Sequence, residues 1–159
     1  MKITLIVCGR IKEKFYKDAV AEYAKRLSAY CTLNIIEVAD EKTKENMTAA
    51  ETAQLLDKEA DRILAKIPEN AYVCALTIDG TARDSEGMAD WLMDRTLHGA
   101  SHIVFIIGGS VGLSDRVVRL AKERISFSKL TFPHQLMRVI FLEQLYRWFK
   151  IARGEPYHK

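Results

Sequence analysis

Four short, nearly continuous apolar runs divide the chain, and helical patterns lie between them. The runs are rich in Ile, Val and Leu and cover residues 2–8, 32–38, 71–78 and 102–108. Strands that are buried on both faces have this pattern, because neither face meets water. Amphipathic helices are predicted between the runs, at about 13–29, 48–66 and 84–97, with a fourth from about 114 to 122. This alternation predicts an α/β fold in which a mostly parallel sheet carries helices on both faces.

Local signals support several of these boundaries. Thr48 is followed by Glu51 three residues later, which is a capping box at the start of the second helix. Asp84 or Ser85 can cap the third helix, which is expected to stop near Gly99. The polar stretch 40–46 is the most loop-like part of the chain and predicts no function by itself.

The last predicted helix, at about 134–151, is apolar on nearly all sides. Its polar positions form only a narrow stripe. One apolar face is enough to dock a helix onto a sheet, so a helix that is apolar all round must be covered on a second side as well. In so short a chain, a homodimer interface is the simplest cover, and we expect one.

Composition predicts one globular domain over residues 1–159, with 48% apolar and 28% charged residues. No stretch contains the roughly 20 apolar residues that would cross a bilayer, so no membrane association is expected. The three cysteines are far apart and form no CxxC pair, which predicts neither a zinc site nor disulfides and favours a reducing cytoplasm. His98 and His102 have a zinc-like spacing, but Gly99 lies between them and metal binding is not expected.

Charge is unevenly distributed along the chain. Residues 116–159 carry ten basic and three acidic side chains, whereas residues 37–115 carry seven basic and fifteen acidic ones. A basic quarter of this kind is typical of a protein with a polyanionic partner, although solvated helix faces give the same count.

Glycines follow the fourth apolar run, in the sequence Gly108-Gly109-Ser110-Val111-Gly112. At the carboxyl end of a parallel strand, glycines allow a ligand to approach the backbone closely. The sequence is neither GxGxxG nor GxxxxGK[ST], so neither a dinucleotide fingerprint nor a P-loop is present. A tight turn without a ligand would also explain these glycines, as it would the pair Asp79-Gly80 after the third run.

Two further segments carry candidate chemistry. In residues 127–132, FSKLTF, polar and apolar positions alternate as in a strand, and Pro133 and His134 then end the pattern. In the C-terminal tail, Tyr157 lies beside His158, which places an aromatic ring that can stack on a base next to a titratable imidazole. Ser110, Ser114 and Cys8 lack the neighbours of a catalytic nucleophile.

Taken in order, IGGSVGL, SFSKLTFPHQLMRVIFLEQLYR and RGEPYHK resemble the ribosomal RNA large subunit methyltransferase H family of SPOUT-class enzymes over the full length. The resemblance implies an α/β fold with a C-terminal trefoil knot that binds S-adenosylmethionine (SAM). It implies methylation of N3 of a pseudouridine in 23S rRNA of the large subunit. The positions that match the family's cofactor site are Leu76, Gly108, Phe127, Ser128, Lys129, Leu130, Thr131 and Phe132.

The reaction implied by the resemblance requires loss of a proton from N3, so a base or a group that stabilises charge is expected. We hypothesise that His158 is the base and that Tyr157 orients or stacks on the substrate. Arg147 is expected to hold the developing anion or a phosphate, with Arg138 as support. Three alternatives stay open: a non-catalytic RNA- or ribosome-binding module, a SPOUT methyltransferase for a different RNA, and a Rossmann-type enzyme, against which the missing GxGxxG argues.

Overall fold

The computed structural model describes all 159 residues and contains five strands and five helices. In chain order they are β1 (Lys2–Cys8), α1 (Lys14–Leu27), β2 (Thr32–Val38), α2 (Ala49–Leu64), β3 (Tyr72–Ala82), α3 (Ser85–Leu97), β4 (His102–Ile107), α4 (Asp115–Leu120), β5 (Glu123–Ser126) and α5 (His134–Ala152). The side chains of Thr48 and Asp84 accept hydrogen bonds from the N–H groups of Glu51 and Gly87. The cap predicted at Thr48 is confirmed, and of the two candidates for the third helix the cap is Asp84.

All strands pair in parallel, in the order β2-β1-β4-β3-β5. The predicted parallel sheet is confirmed. Helices α1, α3 and α5 pack on one face around Ile3, Leu5 and Phe105, and α2 and α4 pack on the other around Ile6 and Val104. Consecutive residues of β1 and β4 therefore alternate between two buried cores, which explains why these strands are apolar at nearly every position.

Strand β3 is longer than predicted and contains a bulge. Leu76 and Thr81 both pair with Ile125, so residues 77–80 leave the ladder between them. The turn expected at Asp79-Gly80 is therefore part of this bulge within the strand. At Gly80 a Cβ atom would lie 2.7 Å from the backbone nitrogen of Ile125, and only glycine fits at this distance.

Residues 127–132 form no strand, despite their alternating pattern. The fifth strand lies just before it, at Glu123–Ser126, and residues 127–133 form an irregular loop that leads into α5. Pro133 is the N-cap residue of α5, in agreement with its predicted role as the end of the loop. A four-residue strand with two charged positions has too little apolar periodicity to be recognised from sequence.

Helix α5 lies between α1 and α3 against the sheet. Its buried residues form one stripe, which includes Phe141, Leu145 and Trp148. The rest of the helix is half-buried as far as residue 151, so α1 and α3 supply much of the cover that we had expected from a second chain. Leu136 and Ile140 lie on the side opposite the buried stripe. The homodimer stays a prediction, and so does the trefoil knot.

The three cysteines are buried and unpaired, and none of the helices combines the length and apolarity needed to span a bilayer.

Candidate functional site

The loops that follow β4 and β5, together with the bulge of β3, enclose a cleft of about 840 Å³ at the carboxyl edge of the sheet. This is the edge at which parallel α/β sheets bind ligands. Of the eight residues that the resemblance assigns to the cofactor, seven line this cleft; Lys129 alone does not, and its side chain is exposed. The remaining wall consists of Thr77, Ile78, Ile107, Gly109, Ser110, Val111, Gly112, Leu113, Ile125, Pro133, His134 and Met137.

The glycine loop after β4 folds back on itself. Gly109 and Gly112 form an isolated antiparallel bridge, and Gly112 has a φ of +89°. A Cβ atom on Gly108 would lie 2.4 Å from the carbonyl oxygen of Gly112, well inside van der Waals contact. This turn therefore requires glycine at Gly108 for space and favours it at Gly112 for backbone conformation.

The loop opposite is ordered by two serines. Ser126 Oγ donates to the carbonyl oxygen of Ser128 at 3.2 Å, and Ser128 Oγ accepts from the N–H of Leu130 at 3.0 Å. The Leu130 side chain is 70% exposed at the mouth of the cleft. Phe127, by contrast, packs on Phe141 and Trp148 with ring centroids about 6 Å apart, which fixes one end of the loop to α5.

Arg138 lies apart from the other proposed catalytic residues. Its side chain is only 2% exposed, and it donates to the carbonyl oxygens of Cys8 and Gly9 and to the carboxylate of Glu37, at 2.8–2.9 Å. These contacts hold the guanidinium within the protein, where its Nε has no partner, and they support a structural role. The supporting role in holding a substrate anion stays a prediction. Arg138 also contacts Nδ1 of His134 at 3.3 Å.

His134 is a cleft residue to which we had assigned only the end of the preceding loop. Burial, together with the neighbouring charge of Arg138, lowers the pKa of its imidazole below the ordinary value. Because Arg138 offers only donors, Nδ1 of His134 is the acceptor in their contact. The neutral ring then carries its proton on Nε2. One sequence signal could have indicated that His134 lines the cleft: it directly follows Pro133, where the loop ends and α5 begins.

A buried carboxylate lies below the glycine loop. Glu59 is only 3% exposed; one oxygen accepts from the N–H of Glu41 at 2.9 Å, and the other has no hydrogen-bond partner. Burial raises the pKa of Glu59 above its ordinary value. Burial and the nearby Glu59 carboxylate also raise the pKa of the Cys8 thiol to about 12. Cys8 is therefore a protonated residue of the core, as its sequence context suggested.

The other three proposed catalytic residues come together on the outer side of α5. Arg147 pairs with Glu143 and contacts Nδ1 of His158 at 3.3 Å, and its guanidinium lies 4.8 Å from the centre of the Tyr157 ring. The Tyr157 hydroxyl donates to Glu143 at 3.1 Å. Burial and the Glu143 carboxylate raise the pKa of Tyr157 to about 12, so its phenol stays protonated at neutral pH.

A second pocket, of about 570 Å³, adjoins the cofactor cleft and includes one residue of this cluster. His158 lines it together with Trp148 and Gln144, and it shares Phe127 and Phe132 with the cleft. His158 and the cleft residues therefore line adjoining pockets, although they lie beyond opposite ends of α5.

His98 and His102 do not form a joint site. His98 contacts the carbonyl oxygen of Asp94 at 2.8 Å, and His102 contacts the hydroxyl of Thr4 at 2.8 Å. No group of three or more His, Cys, Asp or Glu side chains has the geometry to hold a metal ion.

Known proteins share this fold. A family model described as "Predicted SPOUT methyltransferase" matches residues 1–158. Solved structures of similar fold include a probable methylase family protein from Haemophilus influenzae, 11% identical with a TM-score of 0.51, which covers 99% of this chain and 70% of that one. A probable methyltransferase from Bordetella pertussis is 14% identical with a TM-score of 0.50, covering 93% of this chain and 96% of that one. The family match makes the chain a member of the SPOUT methyltransferase class.

Curated relatives define the family within this class. The chain is 55% identical to ribosomal RNA large subunit methyltransferase H of Bifidobacterium adolescentis and 53% identical to that of Listeria monocytogenes, with both chains covered completely in each case. The chain therefore belongs to the ribosomal RNA large subunit methyltransferase H family.

Proposed function

We propose that this protein transfers the methyl group of SAM to N3 of a pseudouridine in 23S rRNA of the large ribosomal subunit, in the cytoplasm. One observation carries the proposal: the glycine loop after β4 and residues 127–132 face each other across a single cleft, whose neighbouring pocket contains His158. A non-catalytic RNA-binding module would have no need for such a cleft. The names of the curated relatives supply the RNA class.

The cleft has the volume of a small-molecule site and offers hydrogen-bonding groups to the cofactor. In the loop 127–132, the N–H of Leu130 is bonded to Ser128, but those of Lys129, Thr131 and Phe132 have no partner within the chain. Unpaired backbone groups at a cleft wall can bind the edges of an adenine ring, while Leu130 and Phe132 enclose its faces. Leu76 and the glycine loop complete the wall.

SAM, when bound, supplies a methyl group on a positively charged sulfur that is already a good leaving group. The protein must then align N3 of the uracil ring with the methyl carbon, and such alignment contributes up to roughly 7–11 kcal/mol in favourable cases. It must also remove the N3 proton, because a protonated imide nitrogen is a poor nucleophile.

His158 is the proposed base. Since Arg147 donates to its Nδ1 in the free protein, the neutral ring carries its proton on Nε2, which lies 3.8 Å from Glu86. Arg147 must therefore turn away from His158 before Nδ1 can accept the substrate proton. Once turned, its Nη1 is free to hold the developing anion or a phosphate, while Nη2 is paired with Glu143. The phenol of Tyr157 stays protonated, and its ring orients the nucleobase of the substrate or stacks on it.

We further propose that a homodimer forms the complete RNA site. Leu136, Ile140, Glu143 and Arg147 follow one another along the outer side of α5, so the apolar part of this stripe is continuous with the tail cluster. A second copy that packs on Leu136 and Ile140 would bring the tail of one chain close to the cleft of the other.

The test uses unmodified ribosomes, labelled SAM and mass mapping of the 23S rRNA. We expect one methylated pseudouridine with the wild-type protein and a loss of at least about a hundredfold in turnover for His158→Ala, since general bases contribute roughly 10²–10⁴-fold. His98→Ala is the control, because His98 is also exposed but lies at the opposite edge of the sheet. Wild-type turnover by a His158→Ala protein that binds SAM normally would remove His158 from the mechanism.

A titration with SAM separates the remaining alternatives. A protein that binds ribosomes but not SAM would be a binding module, and label on another RNA would indicate a different substrate within the SPOUT class.

A further inference from the structure

The basic charge of the C-terminal quarter is largely neutralised in the folded protein. Of the ten basic residues in 116–159, seven have a carboxylate oxygen within 4.0 Å: Arg116, Arg119, Arg124, Arg138, Arg147, Lys150 and Arg153. Several of the partners belong to the acidic middle of the chain, such as Asp57 and Asp61 around Arg116. Fewer cations of this quarter are therefore free for a polyanion than the charge count predicted.

Three unpaired cations lie close together along the chain in the segment Gly9–Lys17, between β1 and the first turn of α1. Arg10, Lys12 and Lys17 are exposed, and none of them has a carboxylate within 4.0 Å; Lys14 is the only cation of the segment with such a partner, Asp18. The ring of Phe15 is 64% exposed at the same place. An exposed aromatic ring among unpaired cations is the combination that binds single-stranded nucleic acid.

The segment is fixed beside the cofactor cleft. Arg138 binds the carbonyl oxygen of Gly9 at 2.8 Å and contacts His134 of the cleft wall. Gln135 accepts from the N–H of Lys12 at 3.0 Å, and Glu37 accepts from the N–H of Ile11 at 3.0 Å. These bonds tie the backbone to the start of α5 and leave the basic side chains to solvent. The buried Arg138 thus joins the cleft wall to the basic segment.

We propose that the segment Gly9–Lys17 is the principal RNA-docking surface of the protein, with Arg10, Lys12 and Lys17 on phosphates and Phe15 stacked on an unpaired base. This inference rests on the proposed function for the identity of the RNA. The segment follows β1 and the cleft loops follow β4 and β5, and parallel strands end at the same edge of the sheet. RNA held by the segment is therefore held beside the methyl donor.

The first test is the triple variant Arg10→Gln/Lys12→Gln/Lys17→Gln. We expect its KM for ribosomal subunits to rise at least about tenfold, with kcat at saturation and SAM affinity close to wild type. Each lost phosphate contact should also make the dependence of log affinity on log salt concentration shallower by about 0.7–0.9, so the slope should fall by roughly 2–3.

The matched control removes the same charge at the other edge of the sheet. Lys2, Lys25 and Lys66 are exposed, have no carboxylate within 4.0 Å, and lie at the start of β1 and at or just past the ends of α1 and α2. The triple variant Lys2→Gln/Lys25→Gln/Lys66→Gln should leave KM within about twofold of wild type. Equal effects of the two triple variants would mean that only net charge matters and would overturn the proposal, as would an unchanged KM in the first.

Phe15 is tested separately, with Phe15→Ala and Phe15→Tyr. Loss of one stacked base should weaken binding about tenfold in the alanine variant, and the tyrosine ring should restore it. Sedimentation of Phe15→Ala must show the same oligomeric state as the wild type; a dissociated protein would make Phe15 an interface residue and overturn its assignment to RNA. Measuring ribosome binding separately from methylation distinguishes the docking surface from the proposed methyl transfer. If the wild-type protein methylates no RNA, the proposed function fails. A loss of ribosome binding that is confined to the first triple variant would still support the docking surface.

Discussion

Gly108→Ala tests whether the turn after β4 must close as tightly as it does. The added Cβ atom would lie 2.4 Å from the carbonyl oxygen and 2.6 Å from the carbonyl carbon of Gly112. Both are backbone atoms, so no side-chain rotation can relieve the contact, and the glycine loop must move until the separation exceeds 3.0 Å. The loop that moves is the one that forms one wall of the cofactor cleft.

Two effects follow from this displacement. Overpacking of this kind costs about 1–3 kcal/mol of folding stability. Misplacement of a binding wall by a sizeable fraction of 1 Å costs more in function, up to about a hundredfold. We therefore expect the affinity for SAM to fall by at least about tenfold, while the midpoint of thermal unfolding falls by several degrees. Isothermal titration calorimetry and thermal unfolding measure the two effects independently.

Gly99→Ala is the control for the loss of glycine itself. Gly99 has a φ of +91° but no atom within 4 Å of a Cβ, and it lies between α3 and β4 at the opposite edge. Its replacement should cost about 1–2 kcal/mol of stability through backbone strain and leave SAM affinity unchanged. Our interpretation of the cleft fails if Gly108→Ala binds SAM as tightly as the wild type, or if both variants lose affinity equally.

Three further predictions concern the buried groups and the outer side of α5. Arg138→Gln should lower the free energy of unfolding in urea by about 2–3 kcal/mol, because buried carbonyl oxygens lose their hydrogen-bond donor. The control Arg124→Gln, which removes an exposed ion pair, should lower it by less than about 1 kcal/mol. Equal losses in the two variants would contradict the structural role of Arg138. Burial raises the pKa of Glu59, so the contribution of this residue to stability should be fully present below the ordinary Glu value of 4.5 and be lost as pH rises through the raised value. Glu59→Gln should remove this loss, and parallel stability curves of the two proteins from pH 4 to 8 would refute the assignment. Ile140→Asp should produce monomers in sedimentation and lower methylation of ribosomes more than SAM binding; a dimeric variant would place the interface elsewhere.

The local sequence predicted most of the secondary structure because burial on both faces leaves a strong signal. The runs that became β1 and β4 are apolar at nearly every position, and the caps at Thr48 and Asp84 are where side-chain chemistry places them. The glycines after β4 indicated a ligand loop because the contact that requires glycine at Gly108 is with Gly112, only four residues later. The resemblance, rather than any periodicity, supplied the cofactor positions in residues 127–132.

Interactions between distant parts of the chain were beyond such signals. Strand β5 exists because β3 lies beside it, and the bulge at residues 77–80 follows from how these two strands pair. Arg138 resembles any helix-surface arginine in the sequence, yet folding places it against Cys8 and Gly9, about 130 positions earlier. The same holds for charge, since counting along the chain cannot show which cations will meet carboxylates from other segments.

The sequence by itself thus determined the strands, the helix starts and the glycine turn, since each depends on neighbours within a few residues. Only the tertiary structure decided which loops share a cleft, which arginine is buried and which cations stay free, because those outcomes depend on distances between residues that are remote along the chain.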